Sequence, residues 1–271
     1  MIKTIPVINN KGGVGKTTTT VNLAAGLGKM GREVLVIDLD SQGSASLALG
    51  VSREDLDPSV AAALFGEKRP AEIIRETAVE GVDVIPGSLR LADTDTRLAR
   101  DEGREGQLSQ VIAEVEAAYD TVLIDCAPST SLLTINALVA ADAFVIPVAP
   151  SYLSLEGVVS LGKVVKKTRM SMGEAAPILG VLITMVGDED KETVEIKNAV
   201  RDHYGGKVFE TEIGRDPALE EAPTRSESVF DYAPGSSGAE DYQNLVEEVT
   251  ERIERYGAVY DTVNQEERRA A

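Results

Sequence analysis

A run of small and basic residues, Asn10-Lys11-Gly12-Gly13-Val14-Gly15-Lys16-Thr17-Thr18, follows apolar Ile5, Val7 and Ile8 and precedes the helical spacing of Val21, Leu23, Ala24 and Leu27. A strand that passes through a glycine-rich loop into a helix commits this part of the chain to a parallel α/β layer. Glycines let successive backbone N–H groups turn inward on phosphate oxygens, and the N-terminus of the following helix adds its partial positive charge. The segment is a phosphate-binding loop in which Asn10 replaces the usual first glycine and Lys11 is an added cation. Lys16 is placed to reach the β- and γ-phosphates of a nucleotide, and the Thr17 hydroxyl to ligate Mg²⁺. Gly12, Gly13, Val14, Gly15 and Thr18 complete the expected cradle.

Strand-like apolar runs alternate with helical patterns along the rest of the chain, which predicts βαβ units and a mostly parallel sheet. Strands are expected at 34–37, 82–85, 121–124, 143–148 and 178–184, with a weaker one at 207–210. Helices are expected at about 16–30, 107–118, 131–140, 154–170, 190–204 and 238–256. With 271 residues, no internal repeat and no linker, the chain reads as a single α/β domain. The fold class is a P-loop NTPase with a doubly wound, mostly parallel sheet flanked by helices. The domain spans 1–256, and 257–271 is a polar tail expected to fray.

Functional residues in such sheets lie beyond the carboxyl ends of the strands, and acidic residues fall there. Asp38 and Asp40 stand in Asp38-Leu39-Asp40-Ser41-Gln42-Gly43, and Asp125 ends the aliphatic run Val122-Leu123-Ile124. An aspartate closing an aliphatic strand is how a Walker B carboxylate is presented to Mg²⁺ through water, and Asp125 is the candidate. Its alternative reading is a cap on the next helix. From the local sequence Asp40 reads as a turn former before Gly43.

Lys11 followed by Gly12 and Gly13 resembles the deviant Walker A loop, and the chain is similar to ATPases of the ParA/MinD family. Further segments share the resemblance: Pro147-Val148-Ala149-Pro150 with Leu155-Glu156-Gly157, and Lys207-Val208-Phe209-Glu210-Thr211-Glu212-Ile213-Gly214-Arg215. Glu221-Ala222-Pro223-Thr224 and Gly238-Ala239-Glu240-Asp241-Tyr242 extend it over roughly residues 1–256, closer to the chromosomal, Soj-like ParA proteins than to other branches. The resemblance implies an ATP- and Mg²⁺-dependent hydrolase that forms a homodimer around two nucleotides. Lys11 then reaches the phosphates bound by the partner subunit, and Gly12 permits the close approach. Asp40 is implied as the residue that positions the attacking water, with Asp38 beside the metal shell. Non-specific double-stranded DNA and a ParB-like activating protein are the implied partners, in a cytoplasmic protein that associates with the nucleoid when ATP-bound. Two departures stand out. Val186-Gly187-Asp188-Glu189-Asp190 is acidic where family members often carry arginine, and Gly214 occupies a position where proline is usual.

A formal net charge of −18 argues on its face against nucleic acid, so the placement of cations matters more than their sum. Adaptation to a salty cytoplasm is another explanation of that charge; a melting curve without gain at molar KCl would count against it. Lys163, Lys166 and Lys167 share one helix face, with Arg169 nearby, and together with Arg215 they are the DNA-contact candidates. Arg201 and Arg225 are weaker ones. The plainer reading of the lysines is a cationic helix end that complements the dipole. A MinD-like membrane role needs a basic amphipathic C-terminus, whereas Glu247, Glu248, Glu251, Glu254, Glu266 and Glu267 make this one acidic. No membrane contact is expected, no apolar run has the length of a membrane span, and the start of the chain lacks signal-peptide features. One cysteine, Cys126, excludes an intrachain disulfide and a cluster of paired cysteines, and it reads as a small buried residue. His203 lies on a polar helix and reads as exposed. A protein-positioning ATPase that does not act on DNA and an ATP-dependent metabolic ligase of the same fold are the competing functions.

Overall fold

The computed structural model describes residues 3–99, 101–151, 161–166, 168, 170, 176–187 and 190–270, with side chains described as far as Tyr256. Eight strands make one sheet: β1 (Thr4–Val7), β2 (Val34–Leu39), β3 (Arg75–Glu76), β4 (Val82–Ile85), β5 (Thr121–Cys126), β6 (Phe144–Val148), β7 (Ile178–Val186) and β8 (Val208–Gly214). Their order is β3-β4-β2-β5-β1-β6-β7-β8, and every pairing is parallel except that of β3 with β4. The main helices are α1 (Lys16–Lys29), α2 (Gln107–Ala113), α3 (Leu132–Ala140), α4 (Lys191–Tyr204) and α5 (Ser237–Ala270).

Strands β1, β2, β5 and β6 are buried along their whole length, as aliphatic strands must be when helices cover both faces. On one face Val21, Leu23 and Leu27 of α1 pack with Tyr242, Leu245, Val246 and Val249 of α5. On the other, Leu108, Val111 and Ile112 of α2 join Leu133 and Ala137 of α3. The sheet is therefore the middle of three layers. Its central strand β1 delivers the phosphate loop, while β2 and β5 deliver the aspartates to the same edge. β5 lies between β1 and β2, in register so that Val7 faces Asp125 and Asp38 faces Asp125.

Apart from the two-residue β3, which no apolar run marks, the strands lie where periodicity places them, with differences at the margins. β8 runs from Val208 to Gly214, beyond the expected 207–210, because Glu210 and Glu212 interrupt its apolar pattern while Ile213 is still buried. The expected helix at 107–118 is α2 followed by a separate 3₁₀ turn at Glu116–Ala118. Residues 161–166 are helical, and the remainder of the 154–170 expectation lies largely outside the described residues. α5 continues to Ala270 instead of stopping near 256, its last turns carrying strong helix formers such as Glu266, Glu267 and Arg268.

β8 is an outer strand, and a carboxylate covers its free backbone donors. Glu248 on α5 accepts the N–H of Glu210 and that of Thr211, each at 3.0 Å, and pairs with Arg252 at 2.8 Å. Arg252 in turn donates to the carbonyls of Leu179, Lys207 and Val208 and lies 4.1 Å over the Phe209 ring. Covering an edge in this way blocks strand addition by other chains. Burial works to raise the Glu248 pKa, but the hydrogen bonds from Thr211 and Glu210 outweigh it and hold the carboxyl below its usual range. A depressed native pKa means that this stabilisation is present above the unfolded-state value and is lost as pH falls through the native one. Glu248→Ala is expected to cost about 1–3 kcal/mol at neutral pH, since it strands two donors and an arginine. Urea unfolding should show that gap narrowing in acid; a variant as stable as the parent at pH 7 would remove the edge-capping role.

Candidate nucleotide-binding site

The loop between β1 and α1 is shaped by glycines that adopt the left-handed region. Gly13 has φ +68° and Gly15, the N-cap of α1, has φ +81°. Side chains bearing a Cβ are strained there, so this curl needs glycine. Thr184 at the end of β7 fastens the loop from the side, its hydroxyl donating to the Val14 carbonyl at 2.9 Å. Lys16 folds beneath, with Nζ donating to the Lys11 carbonyl at 3.0 Å and only 6% of the residue exposed. Burial lowers its pKa, while the negative charge of Asp125 and, more weakly, of Asp40 pulls the other way. Gly12 and Gly13 remain exposed at the crest.

Asp38 and Asp125 stand side by side because they are register partners on β2 and β5, and both are fully buried. The Asp125 carboxylate accepts the Thr17 hydroxyl at 2.7 Å. Asp38 accepts the Asp40 N–H at 3.0 Å, the Ser46 N–H at 2.9 Å and the Ser46 hydroxyl at 2.7 Å. Burial pushes both carboxyls above the ordinary range, and Asp125 is raised further by the charge of Asp38. The Thr17 bond and Lys16 act against the rise at Asp125. The Cys126 thiol, buried beside them, is likewise pushed up by burial and by Asp125. Such a pair is short of positive charge, and a divalent cation would relieve it.

Among the described residues no group of three or more His, Cys, Asp or Glu converges on a point that could hold a metal. A cation here would draw most of its ligands from phosphate oxygens and water, with the Thr17 hydroxyl and Asp125 on the protein side. That donor set suits Mg²⁺, which keeps several waters and favours phosphate-rich sites.

For Asp40 the structure shows the turn-forming role. Its Oδ1 accepts the Gln42 N–H at 3.0 Å and its carbonyl accepts the Gly43 N–H at 3.0 Å, so it does form the turn. It is also only half-buried and electrostatically coupled to Lys16 and Asp125. Gly87, just after β4, supports this turn from behind. A Cβ there would lie 2.5 Å from the Asp40 carbonyl oxygen and 2.8 Å from that of Asp38. Its N–H donates to the Ser46 hydroxyl at 3.1 Å. Gly87→Ala is expected to cost about 1–3 kcal/mol through overpacking against rigid backbone. Denaturant unfolding checks this; a change under about 0.5 kcal/mol would mean that the turn yields freely.

Next to the loop, Gly15, Thr18, Thr184, Met185, Gly214, Arg215 and Tyr242 contribute to the lining of a cavity of about 170 Å³. Met185 adopts φ +56°, an unusual conformation for a residue with a side chain, and its carbonyl accepts Nε of Arg215 at 3.2 Å. Gly214 donates its N–H to Asp241 at 2.8 Å, a bond that proline could not make, so the departure noted in the sequence ties the cavity rim to α5. Tyr242 reaches α1, its hydroxyl 3.1 Å from that of Thr19.

Lys11, Lys16, Thr17, Asp38, Asp40 and Asp125 thus converge on one edge of the sheet. Arg215 is exposed on the cavity rim, which gives this DNA-contact candidate a place beside the loop. Lys163 and Lys166 are exposed on the helical stretch 161–166, whereas Lys167, Arg169, Leu155, Glu156 and Gly157 lie outside the described residues. Cys126 is buried and His203 exposed, as read from the sequence. Sequence reasoning missed Ser46, which meets Asp38 from the next turn, and Gly87, Ser151 and Thr184, each of which meets the loop or the aspartates from a distant segment. Only Pro86-Gly87 at a strand end offered a local signal.

Residues 2–176 match the AAA domain family. The sporulation initiation inhibitor protein Soj of Bacillus subtilis is 40% identical over 92% of this chain and 98% of its own length. The chromosome-partitioning ATPase Soj of Treponema pallidum is 36% identical over 93% of this chain and 98% of its own. Among solved structures, the cobyrinic acid a,c-diamide synthase of Mycobacterium smegmatis with bound ADP and magnesium is similar, with a TM-score of 0.80 and 30% identity over 91% of this chain and 93% of that one. Together with the lysine-bearing phosphate loop and the aspartates at the ends of β2 and β5, this near-full-length likeness makes the chain a member of the ParA/MinD family of P-loop ATPases.

Proposed function

We propose that this chain is a DNA-segregation ATPase that uses ATP and Mg²⁺ to form a dimer, binds double-stranded DNA without sequence preference in that state, and lets go on hydrolysis. Lys11 carries this reading: an ordinary phosphate loop needs only Lys16, and the second lysine stands half-buried on the outer rim. Concentrated charge on a γ-phosphate is well met by a cation supplied from a second subunit.

Within one subunit the loop N–H groups and Lys16 hold the nucleotide phosphates. Thr17, and Asp125 through water, would hold Mg²⁺, which would supply positive charge against the phosphates. Asp38 keeps the Asp40 turn in place through the Asp40 N–H and Ser46. Asp40 accepts a hydrogen bond from the attacking water and aligns it with the γ-phosphate. The adjoining cavity lined by Thr184, Met185, Gly214 and Tyr242 receives the base. Lys163, Lys166, Lys167 and Arg215 are the proposed DNA contacts, doubled in number by dimerisation, and a ParB-like protein accelerates the hydrolytic step. No helix among the described residues is long and apolar enough to cross a membrane.

Duplex-DNA binding measured with ATP, with ADP and without nucleotide across a wide KCl series tests the proposal, with Lys16→Ala as control. Binding confined to ATP and weakening with salt is expected. A protein that dimerises with ATP yet ignores DNA at every salt concentration would instead point to a protein-positioning ATPase. The likeness to a diamide synthase favours a second reading, ligation of a carboxylate substrate. A phosphorylated product formed from an added carboxylate would establish that reading.

A further inference from the structure

We infer that Ser151 is a positioning residue for Lys11, fixing its ammonium on the rim of the phosphate loop where the nucleotide of a second subunit would meet it. The inference rests on the reading of Lys11 as a lysine that acts in trans. Lys11 is tied at one end to β6 and at the other to the segment that leaves it. Its backbone N–H donates to Oδ1 of Asn9 at 3.0 Å, and Asn9, itself fully buried, donates Nδ2 to the Pro147 carbonyl at 2.7 Å. At the other end, Nζ of Lys11 donates to Oγ of Ser151 at 2.8 Å. Ser151 is held in turn by a tight bend, its N–H donating to the Ala149 carbonyl at 2.8 Å.

Lysine has a long, flexible stem, and ordering it on association opposes binding. A side chain already held at its tip has lost much of that freedom before a partner arrives. The two lysines of the loop are divided by this arrangement. Lys16 turns inward beneath the Lys11 carbonyl, and Lys11 is turned aside, toward the end of β6.

Sedimentation velocity with Mg²⁺ and a non-hydrolysable ATP analogue would measure dimerisation of the parent, Ser151→Ala, Ser151→Thr and Lys11→Ala. Ser151→Ala is expected to weaken the dimer about three- to tenfold, the worth of one net hydrogen bond. Ser151→Thr, which keeps the hydroxyl, is expected to restore it, and the Tm of the nucleotide-free proteins should not change. A Ser151→Ala dimer as tight as the parent's or tighter, while Lys11→Ala loses its dimer, would overturn the positioning role alone. A lower Tm for Ser151→Ala that Ser151→Thr fails to restore would overturn it too, by making the hydroxyl merely structural. Lys11→Ala dimerising like the parent would instead remove the trans reading of Lys11 on which the inference stands.

Discussion

Lys16→Ala is expected to weaken ATP binding about a hundredfold or more, the largest effect of any single change in the loop. A charged group hydrogen-bonded to phosphate in a poorly solvated site contributes about 3 kcal/mol or more, and each 1.4 kcal/mol is a factor of ten. Lys16 is 6% exposed and feels the charge of the buried Asp125 and the half-buried Asp40, so no water can take its place at full strength. Its removal also withdraws the cation that restrains the rise in the Asp125 pKa. Titration calorimetry with Mg²⁺ and ATP checks this. An affinity within threefold of the parent's would mean that the backbone N–H groups do nearly all the binding.

Asp40→Asn is expected to slow hydrolysis by about two to four orders of magnitude while leaving ATP-dependent dimers intact. Asparagine is the informative substitution because its Oδ1 can still accept the Gln42 N–H that Asp40 accepts at 3.0 Å. The turn then survives, and what is lost is the charge that aligns the water. Asp40→Ala loses both and should trap the dimer as well, with a less ordered turn. Single-turnover hydrolysis, with sizing in ATP, separates the two effects. An asparagine variant that hydrolyses ATP at the parental rate would leave Asp40 as a turn residue only.

The central half of the fold was legible because its physics is local. A glycine loop between an apolar strand and a helix, and aspartates closing aliphatic strands, place Lys16, Asp38 and Asp125 at one edge as soon as the sheet is taken as parallel. What the chain concealed are contacts between distant segments. Ser46 reaches Asp38 from eight residues on, but Ser151 meets Lys11 across 140 residues and Thr184 meets Val14 across 170. No periodicity marks such polar pairs, since a serine or threonine at a strand end looks the same whether it faces water or a neighbouring loop. The length of β8 was hidden for a related reason. Its glutamates face the polar groups of α4 and solvent at the sheet edge, with Glu212 paired to Arg201 and Lys197 at 2.7 Å each, so alternation alone read the strand short.

The pairing of Asp38 with Asp125 across two adjacent parallel strands limits how this chain can vary in length. Side chains alternate faces with a period of two, so a single residue gained or lost within β2 or β5 would turn one aspartate to the far side of the sheet. The carboxylates would then be divided between two helical layers, one of them separated from Thr17. Insertions in surface loops carry no such penalty. Among functional descendants of this sequence, length changes should therefore gather in the connections and be absent from 34–39 and 121–126, even where every aliphatic residue in those strands has been exchanged.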